Sequence, residues 1–287
     1  MVRNLIFFSV IFLNLLFLYF LKHNEIKDEI NVMIEPGMRL HEISEILERS
    51  EIIQNKFLFI LWTKINLSDK RLKYGEYKFH GTYSVNAVLK KLKEGKSLNR
   101  KITIVEGSTK SDLLDFFRAL DPNSNLKLNE IPENIIANTY FYEFYENPRM
   151  ILDRIILKSN EISERVWESR NEEIPLNNIS EMFVLASIVE KETSKKNEKP
   201  IISGVFYNRI EKNMKLQSDP TVVYAITEGK SKMKRKLLRK DLKIKSEFNT
   251  YVNKGLPPEP ICFPGIESLN STVKPIKSNY LYFVANF

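Results

Sequence analysis

EMFVLASIVEKET, residues Glu181 to Thr193, is the stretch on which the reading of this chain turns. Asn178 stands in front of it as a helix cap, and Glu181 follows three residues later to answer that cap. Met182 to Val189 is apolar or small except for Ser187. A helix with so few polar positions is buried. Glu190 and Glu192 then arrive at its end. Residues two apart on a helix point to nearly opposite sides, so the two carboxylates are not expected to flank one bond as a matched pair. Glu192 shares its face with Leu185, Ile188 and Val189, where lost hydration raises a carboxyl pKa toward the range of a general acid. Glu190 shares its face with Phe183, Ala186 and Ser187. The bland alternative is that both are solvated residues at a helix end, since Glu is rarely buried without a partner.

At 287 residues there is room for an anchor plus one or two domains with real cores. Hydrophobic residues make up 43% and charged residues 28%, ordinary for a globular protein. The net charge is +8, which suits an anionic polymer, an anionic membrane or nucleic acid, but the basic residues are scattered apart from a dense run at Lys230 to Lys245. No aromatic interleaving or recognised module accompanies that run, so nucleic acid is not expected as a partner. One cysteine, Cys262, excludes an internal disulfide framework and a cysteine-based zinc site. The three histidines, His23, His41 and His80, lie outside the C-terminal half, which excludes a histidine triad or histidine metal cluster there. No metal and no cofactor is expected.

Outward from the central stretch, the chain reads as α+β. Leu5 to Leu21 is almost continuously apolar and sits at the lower limit for a transmembrane helix. With no small residues at its end to serve as a cleavage site, it reads as an uncleaved anchor behind a short cytoplasmic end at residues 1–4. The charged residues 22–30 read as a linker. A small module at 31–98 follows, with NVMI as a strand, a turn at Glu35-Pro36-Gly37, helices at 39–49 and 55–65, a strand at Tyr74 to Phe79 and a helix opening at Ser84. From residue 99 to 287 the pattern gives a strand at 101–105, helices at 111–120 and 151–170, the central helix, a helix starting at Pro200, and one at 222–227. Asn138 to Tyr145 reads either as a sugar-stacking surface or as a core or edge-strand piece. The basic run reads as a solvated insertion or a short helix. Residues 249–265 read as a stiff, proline-rich loop suited to a polymer groove, and Tyr280 to Ala285 as a last strand.

Several motifs occur in one order: Glu190-Lys191-Glu192-Thr193, Phe206-Tyr207-Asn208-Arg209, Leu216-Gln217-Ser218-Asp219-Pro220-Thr221, Asn249-Thr250-Tyr251, Gly255-Leu256-Pro257-Pro258, Pro264-Gly265 and Tyr280-Leu281-Tyr282-Phe283-Val284. Together with Glu35-Pro36-Gly37, Leu72 to Phe79 and Val105-Glu106-Gly107, they resemble the endolytic murein transglycosylases across nearly the whole chain. The resemblance implies a transmembrane helix, a LysM-like module and an α+β catalytic domain in the inner (plasma) membrane, with the bulk of the chain outside the cytoplasm. It implies a lyase that cuts peptidoglycan strands internally between N-acetylmuramic acid and N-acetylglucosamine. The products end in a 1,6-anhydro sugar, and the cut terminates nascent strands beside peptidoglycan synthases.

The resemblance places the catalytic carboxyl in the Glu-Lys-Glu-Thr stretch, on Glu192, with Glu190 as second choice. Asn208, Gln217, Asp219, Asn249 and Tyr251 would orient the sugars; a cap or turn role for each stands beside that. Two departures from the family pattern stand out. The place of a glycine-rich, aspartate-containing turn is taken by Asn138 to Tyr145, with Glu143 as its acidic residue, and the chain stops at Phe287, short of a further polar segment. These departures set up an alternative, a catalytically impaired scaffold that binds peptidoglycan for the synthases.

Overall fold

The computed structural model describes residues 23–283. The expected span at Leu5 to Leu21 lies outside them; among the described residues no helix is long and apolar enough to cross a membrane. The fold is mixed α and β, and the chain divides into two compact units.

The first unit holds the described residues up to Arg100 together with Phe141–Tyr145. Strand β1 (His23–Ile34) pairs antiparallel with β2 (Gly75–Ser84), Val32 opposite Tyr77, with a register irregularity between Ile26 and Ile30. Helices α1 (Leu40–Arg49) and α2 (Lys56–Ile65) lie between them in sequence, and α3 (Val85–Glu94) follows. Asn55 caps α2 by accepting from Leu58 N at 3.0 Å, and Ser84 caps α3 by accepting from Ala87 N at 3.2 Å. Val32, Ile34, Tyr77 and Phe79 form one core with Leu47, Phe59, Val88 and Leu92. The stretch expected as a linker is therefore strand from His23 onward. Its even positions explain the difference: Ile26, Ile30, Val32 and Ile34 all join or pack on the core, a period of two beneath the charges.

The second unit, the described residues of Lys101–Tyr140 and of the chain from Glu146 onward, carries the central helix. Strand β3 (Arg100–Thr103) and helix α4 (Lys110–Leu120) open it. Strand β4 (Thr139–Tyr142) pairs with β3. Tyr140 is buried and its Oη donates to Ile136 O at 2.7 Å; Tyr142, counted with the first unit, is buried too, so this part of the aromatic stretch is core. Helix α5 (Pro148–Glu168) leads to α6 (Ile179–Glu192), which is followed by α7 (Lys199–Glu211), α8 (Asp219–Thr227) and α9 (Ile266–Val273). Helices α5, α7, α8 and α9 all pack on α6. Every residue from Met182 to Val189 is buried, among Phe206, Leu216, Ile261, Leu269 and Val273.

One loop expectation and one strand expectation change. The second half of the proline-rich loop, Pro260 to Gly265, is buried rather than lining a groove. Its amides are claimed from inside: Ile261 N donates to Ser187 Oγ (3.0 Å), Phe263 N to Ser108 O (2.8 Å) and Gly265 N to Glu190 Oε2 (2.9 Å). Residues 280–283, expected to open the last strand, have no strand partner among the described residues; 284 and 285 lie outside them. Side chains at the end of α7 take the place of a ladder. Asn208 Nδ2 donates to Ser278 O and Tyr280 O (2.7 and 2.8 Å), Arg209 Nε donates to Leu281 O (2.7 Å), and Phe283 meets Phe206 edge-on.

Candidate active site

Helix α6 is set by its start. Asn178 Oδ1 accepts from Glu181 N at 2.9 Å, the cap the sequence calls for, but Glu181 answers the amide of Asn177 (2.7 Å) rather than that of Asn178. From there the buried run carries Glu190 and Glu192 out on different sides, as the helical period requires.

Glu190 is locked. Its Oε1 meets Lys199 Nζ at 2.8 Å, and its Oε2 accepts from Gly265 N and from Ser268 Oγ (2.6 Å). The Lys199 and Glu190 side chains are 2% and 5% exposed. A carboxylate met on both oxygens, with a cation in contact, is a structural partner, and it serves the joint between α6, α7 and α9.

Glu192 stands differently. It is the last residue of α6, only partly exposed, and its Oε1 accepts one hydrogen bond, from Ser218 Oγ at 2.5 Å. Burial lifts its carboxyl above the ordinary carboxylate range; the Ser218 hydroxyl pulls it back, the charge of Asp219 raises it and that of Arg209 lowers it. A place at the negative end of a helix also disfavours a carboxylate.

The surrounding residues are held in turn. Gln217 has a positive φ of 51° and donates its amide to Thr250 O (3.1 Å). Left-handed backbone is uncommon for a residue with a side chain and marks a turn held by its surroundings. Ser218 N donates to Thr250 Oγ1 (3.0 Å), and the Thr221 and Thr250 hydroxyls meet at 2.9 Å, all buried. Tyr251 Oη donates to Asp219 Oδ1 at 2.7 Å. Burial first, then that hydrogen bond, pushes the Tyr251 phenol well above its ordinary value, so it stays a proton donor.

Of the five residues expected to orient sugars, three sit around Glu192 with accessible surface: Gln217, Asp219 and Tyr251. Two are spent elsewhere. Both amide protons of Asn208 go to Ser278 O and Tyr280 O. Asn249 is fully buried, with its amide on Leu242 O and Ile244 O (3.1 and 2.8 Å) and its Oδ1 on Tyr251 N. Both hold backbone in place, the structural role that stood beside sugar contact in the sequence reading. Ser218 and Arg209 are the additions. Arg209 is buried, donates to Leu216 O (2.5 Å) as well as Leu281 O, and lies against the Tyr282 ring. Both stand inside the quoted motifs, but nothing in sequence spacing aims either at Glu192.

A profile of the YceG-like family matches residues 32–287. The chain belongs to that family. Relatives within reach bear the name the motifs suggested. The endolytic murein transglycosylase of Bacillus subtilis is 29% identical over 90% of this chain and 79% of its own length. That of Streptococcus pneumoniae R6 is 26% identical over 91% of this chain, which spans 55% of the pneumococcal protein. Among solved structures, a YceG-like protein of Listeria monocytogenes superposes with a TM-score of 0.56 at 29% identity, covering 90% of this chain and 94% of that one.

Proposed function

We propose that this YceG-like chain is a peptidoglycan lytic transglycosylase that cuts glycan strands internally between N-acetylmuramic acid and N-acetylglucosamine, leaving 1,6-anhydro ends, with Glu192 as its one acid and base. The observation that carries the reading is the contrast within a single helix turn: Glu190 is paired and spent, while Glu192 is raised in pKa and holds one hydrogen bond. Glu192 first protonates the glycosidic oxygen; the muramyl O6 then closes on the anomeric carbon and gives its proton back to the same carboxylate. Ser218 aims the carboxyl, and Asp219 with Tyr251 and Gln217 forms the polar wall that orients the sugars.

A hydrolase is the second reading, because Asp219 acts on Glu192 electrostatically and a glycosidase needs two carboxylates across the bond. Its hydrogen bond from Tyr251 makes Asp219 a partner of the wall in our reading rather than a base for water. The scaffold alternative fits less well, since a raised carboxyl has no use in binding alone. The β-α-α-β order of the first unit supports a LysM-like module, and the apolar run at Leu5 to Leu21 supports a single membrane anchor. The work would then fall beside the membrane, on strands leaving their synthases.

Mass spectrometry of purified sacculi after incubation with the protein tests the reading. Anhydromuramyl products are expected, and they should vanish in Glu192→Gln. Reducing-end muramic acid as the main product makes the enzyme a hydrolase; glycan binding with no cleavage makes it a scaffold.

A further inference from the structure

The dense basic run is a built loop, not a loose one. Lys230 to Lys245 carries nine Lys or Arg residues and a single acid, Asp241. Asp241 is buried and works as the keystone: the Arg235 fork grips it through two bonds of 2.5 and 2.9 Å, and Leu238 N donates to it at 2.8 Å. These contacts hold its carboxyl down at about 2. A 3-10 turn at Asp241–Lys243 follows, and Asn249 Nδ2 clamps Leu242 O and Ile244 O behind it. Arg235 is spent on Asp241, and Lys230 pairs with Glu228. Lys232, Lys234, Lys236, Arg239, Lys243 and Lys245 are exposed, and none has a carboxylate within ion-pairing reach among the described residues. A fixed surface with so many unanswered cations repels itself and loses that cost when an anion covers it.

The loop's root says which anion. Asn249, its clamp, is followed directly by Thr250 and Tyr251, which hold Ser218 and Asp219 beside Glu192. The cations are therefore tied rigidly to the wall of the site, in the unit that carries the acid. A glycan strand is itself uncharged along its sugars, but its muramic acids carry peptide stems ending in carboxylates. We propose that this loop is a docking surface for the stem-peptide carboxylates of the strand that Glu192 cuts, so that the protein selects strands still bearing stems. The inference rests on peptidoglycan being the substrate.

The test measures binding and cleavage separately. In the whole chain carrying Glu192→Gln, affinity is compared for stem-bearing strands and for the same strands stripped of stems by an amidase, at low and high salt. Stem-bearing strands should bind tighter at low salt, and the difference should shrink at high salt, where exposed charges are screened. Replacing Lys232, Lys234, Arg239 and Lys243 together by Gln should weaken binding of stem-bearing strands about fivefold or more, from several modest exposed contacts acting together. Stem-free binding should stay put. With Glu192 intact, KM should rise by the same factor while kcat is unchanged. The pair Lys232→Gln and Lys243→Gln should give a smaller loss in the same direction, which keeps the test open if the fourfold variant folds poorly.

Equal losses on both kinds of strand, or none on either, overturn the proposal. So does a variant that loses only its binding to phosphatidylglycerol vesicles, which would make the loop a membrane contact. Stem-dependent binding without anhydro products would instead leave the docking surface standing and remove the lyase.

Discussion

Two glutamates two residues apart do opposite work, and substitution should separate them by folding as well as by rate. Glu190→Gln leaves Lys199 as a buried cation without its counter-ion, a change that costs about 3–5 kcal/mol. Thermal melting should show a large loss, and whatever activity survives should scale with the folded fraction. Glu192→Gln keeps the shape and still accepts from Ser218. Because the folded pKa of Glu192 is raised, its wild-type stability is full below the ordinary carboxylate pKa and falls as pH rises toward the folded value. The Gln variant escapes that loss, so its melting temperature should match or exceed wild type at neutral pH, and the gap should close in acid. A Glu192→Gln variant that melts early at neutral pH would mean that the carboxylate is a structural partner. The rate should also fall on the alkaline side as Glu192 deprotonates, at a pH above the ordinary carboxylate pKa.

How far the sequence could be read also shows at this scale. Helical period is local, so the parting of Glu190 and Glu192 and the cap at Asn178 were visible from residues three or four apart. The tuning of Glu192 comes from Ser218, 26 residues on, and from Arg209, and no short-range pattern reports such meetings. The same holds for Asn208 and Asn249: their type suits sugars, and only the fold shows that backbone carbonyls already hold their amides.

Among the elements, α7 has the least room to spare. A Cβ on Gly204 would press against the carbonyl oxygen of Ile276, whose amide in turn donates to Pro200 O at 3.0 Å. Gly204→Ala must push that segment off the helix, and since the opposing atom is backbone, a cost of about 1–3 kcal/mol is expected. Denaturant midpoints of the variant and wild type check it; an unchanged midpoint would show that the 274–277 segment yields freely. The elements misread from sequence each have a cause of their own. The last residues of β1, 31–34, read as strand; residues 23–30 were hidden by their charges, though Ile26 and Ile30 carried the strand period. The 280–283 segment has the residue types of a strand but takes its hydrogen bonds from α7 side chains, an arrangement that composition does not distinguish from a ladder. The 260–265 segment was placed on the surface by its prolines and lies inside because Ser187, Ser108 and Glu190 satisfy its amides.

Across the molecule, the acid is governed by chain far from it. Arg209 lowers the pKa of Glu192 and is itself held by Leu281 O and Leu216 O. Ending the chain after Lys277 removes Leu281 and the two carbonyls that Asn208 holds. With Arg209 less firmly held, its opposing effect weakens and Glu192 should rise further. The alkaline limb of the rate profile should move to higher pH and the maximum rate should fall; a truncated protein with an unshifted limb would show that Arg209 needs no anchor.

The clamp on Leu281 also sets an order of events during synthesis. Tyr207 closes on Thr272 O, Glu190 on Gly265 and Ser268, and Arg209 on Leu281 O, all across more than sixty residues of chain. A ribosome that has just released Glu192 has made none of those partners. The growing chain at that point carries Glu192 without the burial and the Ser218 contact that set its acidity. The brace on Arg209, and through it the restraint on the acidity of Glu192, is complete only once residue 281 has been made and folded back, so the last joint around that carboxyl to close is one of the most distant in sequence.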